Sequence, residues 1–299
     1  QLTDGSASSA SFVVQSRGLL LDSGSGSVRL SKNLAEDPAS AGGGLVKLGS
    51  GTLTLSGNSG YTGMTLVSNG TLRLAGTLAV TNLVVEPGAG LSFADGALAS
   101  SAPAGLRIGS AAAASRLELE VAASGSGSDT LVLPEGASFL KVAVALVQQG
   151  TLNPVAREGD FAILKYAGAA PSAGWLSWAN PVLGFTCTFE ADSVSKTIYA
   201  RVRINPASGY SAWINPDGGA WETAANWSAM PASAAGAKVW LGEVPLAPAT
   251  VTLDAPFTIG QMVISNANAY TLSGAGALTL DNGSSAPSLT VGVGSHVLS

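Results

Sequence analysis

The residue that most nucleophilic mechanisms would require is the single histidine, His296, which lies beside Val297 near the end of the sequence. A Ser-His-Asp or Cys-His arrangement uses an imidazole as its base, so it would have to recruit this residue. The sequence also contains one cysteine, Cys187. Several His, Cys or carboxylate ligands at close spacing, as a metal site needs, do not occur. We therefore predict no catalytic triad, no metal and no other cofactor.

A second arrangement that could do chemistry is a pair of carboxylates, Glu118 and Glu120, with Arg116 beside them. In a strand, residues i and i+2 share a face, and two carboxylates on one face can act as acid and base on a polysaccharide. The intervening Leu117 and Leu119 predict a buried opposite face, so a solvated outer face explains the same pattern. We predict that the chain is not an enzyme, with a polysaccharide-active β-helix enzyme as an alternative.

Tryptophans are concentrated between residues 210 and 245, at Trp213, Trp221, Trp227 and Trp240. Exposed indole rings can stack on sugar rings, whereas buried ones supply a large apolar surface to a small core. Neighbouring alanines favour packing. The alternative is a glycan-binding module in which Trp213, Trp221 and Trp227 form a solvent-facing row, and these three are the candidate binding residues.

The elements that must position these residues are indicated by a repeat between residues 43 and 95. Leu53, Leu72 and Leu91 are 19 residues apart, and Gly51 recurs at the same step as Gly70. Leucines alternate with threonines around Leu53, which is the period of a strand with one buried face. One such unit cannot bury its apolar face alone, so the units must stack. We predict an all-β fold, a β-solenoid with about 19 residues per coil.

The same step is found again near the end of the sequence, and we read it as further coils. Between the two blocks, the Trp-rich segment 210–245 changes the composition abruptly and predicts an insertion or module boundary. The predicted organisation is a solenoid at 1–209 with its regular block at 43–95, the Trp-rich segment at 210–245, and a solenoid at 246–299 that continues beyond the sequence. The aligned columns are Met64 and Leu66 with Leu83 and Val85; Val251, Tyr270 and Leu289; Leu253, Leu272 and Val291; and Ile259, Leu278 and Val297.

The composition agrees with many short strands and excludes several function classes. Among 299 residues, 38 glycines and 14 prolines suit tight turns, and the 46% hydrophobic fraction supplies a core. The net charge of −5 and the scattered Lys and Arg argue against a nucleic-acid surface. No stretch of roughly 20 apolar residues is present, so we predict no membrane-spanning helix in this segment.

Residues 43–58, with 61–63 and 69–72, carry a family resemblance. The run GGLVKLGSGTLTLSGN, followed by YTG and NGTL, resembles the autotransporter-associated β-strand repeat of bacterial surface proteins. The resemblance implies a right-handed parallel β-helix in an exported passenger region, on the outer surface or released from it. The repeat's residues are structural, so it implies no catalytic residues.

Together these observations predict a structural or adhesive segment of a large bacterial surface or extracellular protein, acting as a stiff repetitive stalk or filament component. The partners expected are neighbouring repeat units of the same kind, stacked end to end, or surface glycans. The apolar register continues to Val297 without a polar closing element. That pattern is the basis for expecting stacked units.

Overall fold

The computed structural model describes residues 12–79, 82–97, 100–101, 105–122, 124–155, 157–182, 185–204, 209–242, 244–245 and 247–299. These residues form two compact units. The first comprises the described residues within 1–154, 159–180 and 188–201, and the second comprises those within 155–158, 181–187 and 202–299. Among the described residues, no helix has the length and apolar character needed to cross a bilayer.

The strands before residue 205 are short, and almost all of them pair in parallel with strands much earlier or later in the chain. Their bounds are β1 Phe12–Val14, β2 Leu19–Asp22, β3 Ser27–Leu30, β4 Leu34–Glu36, β5 Leu45–Leu48, β6 Thr52–Leu55, β7 Thr65–Val67, β8 Thr71–Leu74, β9 Leu83–Val85, β10 Gly90–Ser92, β11 Ser100–Ser101, β12 Leu106–Ile108, β13 Ser115–Val121, β14 Thr130–Leu133, β15 Ser138–Phe139, β16 Val142–Gln148, β17 Gly159–Tyr166, β18 Leu176–Trp178, β19 Phe185–Asp192 and β20 Thr197–Ile204. A short 3₁₀ helix, Ala173–Trp175, precedes β18.

Successive strands of the first unit join different sheets in rotation. The six-stranded sheet has the order β15-β12-β9-β7-β5-β2, and the seven-stranded sheet has the order β18-β16-β13-β10-β8-β6-β3. A five-stranded sheet has the order β11-β14-β17-β20-β19, and β1 pairs with β4. Each passage through the sheets therefore adds one rung beside the previous one. This all-β, parallel arrangement is consistent with the predicted β-solenoid.

The inward face of the regular block is a column of leucines, as predicted. Leu53 pairs with Leu72 and Leu72 pairs with Leu91, and none of the three is exposed. The glycine column has a steric cause. Gly70 has a φ of +67°, and a Cβ added there would lie 2.3 Å from the carbonyl oxygen of Gly51, so only glycine lets the stacked turns approach.

On β7 the predicted inward residues were wrong by one position. Thr65 and Val67 are fully buried, while Met64 is 46% exposed. The prediction aligned Met64 with Leu83 by the same step that separates Leu53 from Leu72. In the structure Leu83 pairs with Thr65, so this step is one residue shorter than predicted. Because side chains alternate between faces, a shift of one position exchanges the buried and exposed sets.

The strands after residue 205 form two four-stranded sheets and one two-stranded sheet. Their bounds are β21 Ser211–Ala212, β22 Gly219–Ala220, β23 Lys238–Leu241, β24 Ala249–Thr252, β25 Phe257–Ile259, β26 Gln261–Ser265, β27 Tyr270–Ser273, β28 Leu278–Leu280, β29 Ser288–Val293 and β30 Val297–Leu298. The sheet orders are β21-β23-β26-β29, β22-β24-β27-β30 and β25-β28, all with parallel pairing. Strands of the Trp-rich segment therefore share sheets with those that follow it.

The predicted columns of this second block were also misaligned. The prediction aligned Val251 with Tyr270, but Val251 pairs with Leu272 and Tyr270 pairs with Ala249, so the step between these rungs is two positions longer than predicted. Val251, Leu272 and Tyr270 are all buried nevertheless. A shift of two positions keeps every side chain on its face, so these two rungs looked aligned in the sequence. The predicted columns do not continue beyond them, because Leu289 lies in β29, in a different sheet from Tyr270.

Candidate functional site

The three tryptophans that could have formed a sugar-binding row are buried. Trp213 and Trp221 have no exposed surface, and Trp227 is 3% exposed. Their rings meet edge to face, with centroids 5.0 Å apart for Trp213 and Trp227 and 4.8 Å apart for Trp221 and Trp227. Trp221 also meets the ring of Phe257 at 5.4 Å. A stacking platform needs exposed ring faces, which these residues lack; they build the core of the second unit.

Hydrogen bonds fix the polar edges of this tryptophan core. The indole N–H of Trp213 donates to the backbone oxygen of Asn215, and that of Trp227 donates to the backbone oxygen of Trp221, each at 2.7 Å. The side-chain amide of Asn226 donates to the oxygen of Ala220 at 2.8 Å. These three groups are paired, as burial of polar groups requires, whereas the indole N–H of Trp221 is buried without a hydrogen-bond partner.

Glu118 lies at the centre of an ion-pair network on the outward-facing side of the seven-stranded sheet. Its Oε1 atom accepts from the hydroxyl of Ser92 at 2.8 Å and from Arg73 at 3.3 Å, and its Oε2 atom accepts from Arg116 at 3.4 Å. Only 13% of the Glu118 side chain is exposed. Strand pairing aligns Arg73 with Ser92 and Ser92 with Glu118, so the network follows one row of the sheet.

Glu120 is more deeply covered than the predicted solvated face allows, at 1% exposure. Its carboxylate accepts from the backbone N–H groups of Gly96 at 2.8 Å and Gly150 at 2.9 Å. Its own N–H donates to the carboxylate of Asp129, also 1% exposed, at 2.7 Å. The loops that contain Gly96 and Gly150 cover this part of the strand, so Glu120 anchors loops and does not face solvent.

The remaining reactive residues occur singly. The Nδ1 atom of His296 accepts the backbone N–H of Tyr270 at 3.0 Å, and the two rings lie 6.0 Å apart. Cys187 forms no disulfide, and burial raises the pKa of its thiol to about 12, which disfavours the nucleophilic thiolate. In the part of the chain that the structure describes, no three His, Cys, Asp or Glu side chains come together to hold a metal.

A buried lysine, Lys47, is a structural residue that the sequence reasoning missed. Its side chain is fully buried, and its ammonium donates to the carbonyl oxygens of Leu48, Gly49 and Asn69 at 2.7, 2.9 and 3.1 Å. Burial lowers the pKa of Lys47, while the charge of Asp22 raises it. The three carbonyls belong to two successive turns, so the ammonium ties these turns together. In the sequence, only its position in the repeat motif indicated a structural role for Lys47.

A cleft of about 600 Å³ lies in the first unit, beside the edge strand of the six-stranded sheet. Leu133 pairs with Tyr166, and both residues end strands of the five-stranded sheet. After Leu133 a four-residue turn leads into β15, the edge strand of the six-stranded sheet. After Tyr166 the chain runs through 167–175 to β18 without pairing to β15. The cleft is lined by 133–140, 166–172 and Trp175.

Trp175 on the rim of this cleft is 39% exposed, unlike the tryptophans of the second unit. It lies outside the dense tryptophan cluster at 210–245, so it was not among the predicted binding residues. A signal was present in its surroundings, Ala167 to Gly174, which contain only small residues and proline. Such a stretch offers little apolar surface that could bury an indole ring.

The strand pairing and the buried columns define a parallel β-repeat protein. The family model of the passenger-associated-transport-repeat matches residues 45–74, from the start of β5 to the end of β8. This segment is therefore the autotransporter passenger repeat that the sequence motif indicated. No curated protein matches the chain.

Proposed function

We propose that this chain is a structural segment of an exported bacterial surface protein, a right-handed parallel β-helix whose regular block has coils of about 19 residues. The observation that carries the proposal is the leucine column through Leu53, Leu72 and Leu91, which stacks the matched repeat on its neighbours. Stacked rungs of this kind depend only on nearest neighbours, so they build a regular support of any required length.

The proposed role is non-catalytic. Glu118 is held by Arg73, Arg116 and Ser92, and Glu120 is held by two backbone amides. Both carboxylates therefore serve the chain's own architecture. The description of the matched family links the repeat to a transported passenger, which supports an extracellular or outer-surface location as part of the same proposal.

Surface display in the source organism tests this proposal. We expect antibodies against the chain to label intact cells and added protease to remove the label. Leu53→Asp places a charge in the buried column, so it should reduce surface labelling at least about tenfold, through loss of several kcal/mol of stability.

The matched control is Thr52→Asp, on the adjacent and partly exposed position of the same strand. This variant should retain more than about half of the wild-type label, because surface substitutions change stability by about 0.5 kcal/mol. An epitope confined to the cell interior would refute the proposed location. Equal labelling of both variants would refute the role of the column.

A further inference from the structure

We propose that the cleft beside Trp175 binds a neutral oligosaccharide, which would give the structural segment an adhesive contact that its repeat does not supply. The cleft, of about 600 Å³, falls within the roughly 300 to 1,000 Å³ typical of ligand sites. Its walls are the turn 134–137 and the segment 167–175, which follow the paired residues Leu133 and Tyr166.

The cleft has a topological origin. In the preceding coil, four residues carry the chain from β14 to the six-stranded sheet, where β15 forms. In the next coil, nine residues, 167–175, lead directly to the seven-stranded sheet. The rung that would cover β15 is missing, so this strand has a neighbour on one side only. The side of β15 that faces away from β12, where the backbone groups of Phe139 point, therefore borders the space that the ligand would fill.

The side chains around this space have the composition of a sugar site. Trp175 contributes a partly exposed indole ring, and Glu135, Ser138 and Ser172 also line the cleft. Among the described residues, these three polar side chains make no hydrogen bond or ion pair within the protein. An apolar ring with a few uncommitted hydrogen-bonding groups is the combination that fixes and orients a small polar ligand.

Charge favours a neutral sugar over an acidic one. None of the residues lining the cleft is Lys, Arg or His, and the one ionisable carboxylate among them is Glu135. An anionic ligand would meet this carboxylate without a cation among the residues that line the cleft. Hydroxyl groups can donate to the carboxylate and accept from serine hydroxyls, so a neutral glycan satisfies both.

An extended peptide is the competing ligand, because peptides bind by adding a strand to a sheet edge. Strand β15 consists only of Ser138–Phe139. Main-chain hydrogen bonds supply the affinity in that binding mode, and this edge offers few of them. The aromatic rim and the free hydroxyls therefore favour the oligosaccharide.

The test is binding of the purified chain to immobilised neutral gluco-, manno-, galacto- and N-acetylglucosamine oligosaccharides, followed by biolayer interferometry. We expect at least one series to bind, and Trp175→Ala to raise its Kd by about tenfold, because aromatic stacking contributes up to about 1.5 kcal/mol. Trp175→Phe retains a stacking face and should raise the Kd less than about threefold.

The matched control is Val194→Ala, which truncates an even more exposed apolar side chain in another part of the first unit. This variant should bind as the wild type does, and thermal melts of all variants should coincide. The proposal is overturned if no oligosaccharide binds at millimolar concentration, or if Trp175→Ala binds unchanged. A proline-rich or strand-forming peptide that binds through Trp175 while every sugar fails would also overturn it. Surface labelling does not enter this assay, so the two proposals can fail separately.

Discussion

Two buried charged side chains in this protein bind backbone groups of neighbouring turns. Lys47 donates three hydrogen bonds to carbonyl oxygens, and Glu120 accepts two from amides. Turns of a stacked fold leave some backbone groups outside the strand ladders, and a buried group without a partner is costly. A charged side chain that satisfies several such groups stabilises the turn and loses its own exposure to solvent. These residues are therefore architectural even though their types suggest chemistry.

Tyr61 illustrates how burial at a single residue predicts a pH dependence. Its side chain is fully buried, and its hydroxyl shares a hydrogen bond of 2.5 Å with Thr65. Burial raises the pKa of Tyr61 to about 12 from 10.0. The raised pKa means that the unfolded chain loses this proton first, so the stabilisation is complete below pH 10 and is lost as the pH rises towards 12.

We expect Tyr61→Phe to make the free energy of unfolding less sensitive to alkali, by about 2 to 3 kcal/mol between about pH 10 and 12. Urea unfolding at several pH values measures this difference. The lowered pKa of Lys47 acts with the opposite sign up to pH 10.5 but is present in both proteins, so it cancels in the comparison. The control is Tyr199→Phe, at a partly exposed position. Identical slopes for wild type and Tyr61→Phe would contradict the assignment.

At the scale of the strand, the period-two pattern was reliable and the alignment between strands was not. Leu53 and Leu55 are buried as their alternation predicts. The constant step does not hold at β7, where Thr65 pairs with Leu83, or at β24, where Val251 pairs with Leu272. The number of residues that connect successive strands differs between coils, and the pairing between strands shifts accordingly. At β24 the sequence pattern cannot reveal the shift, because a shift of two positions preserves the apolar face, whereas the shift of one position at β7 exchanges the two faces.

Strand β27 allows a direct test of which side chains point into the core. Leu272 is 6% exposed and pairs with Val251, whereas Thr271 next to it is partly exposed. Leu272→Asp should lower the free energy of unfolding by about 3 kcal/mol or more, because it buries an unpaired charge. Thr271→Asp should change it by less than about 1 kcal/mol. Chemical denaturation compares the two variants, and equal losses would show that the inward assignment is mistaken.

At the scale of the whole molecule, the chain passes repeatedly from sheet to sheet, so that parallel strands stack as rungs. The second unit ends in β29 and β30, each with a strand neighbour on one side. Leu289 and Val291 follow Met262 and Ile264 in the inward columns, yet they are 41% and 53% exposed. An open edge with half-exposed apolar side chains is the surface that another β-rung would cover.

We therefore expect the isolated chain to self-associate as its concentration rises, with a second copy covering this edge. Val291→Lys adds a charge to the inward column and should weaken association about tenfold or more, which sedimentation velocity measures. Thr290→Lys, on the opposite phase of β29, is the matched control and should have a smaller effect. Monomeric wild-type protein at high concentration would exclude this partner.

The sequence by itself determined the strand content, the inward leucines around Leu53 and the passenger repeat, because these depend on local alternation and residue identity. Only the tertiary structure decided which of the aromatic side chains are buried and which are exposed to solvent. Trp213, Trp221 and Trp227 became a core because their rings pack against one another and against Phe257. Trp175 stayed exposed because its coil skips one rung beside β15. Exposure depends on what neighbouring turns cover, and residues distant in sequence supply that cover.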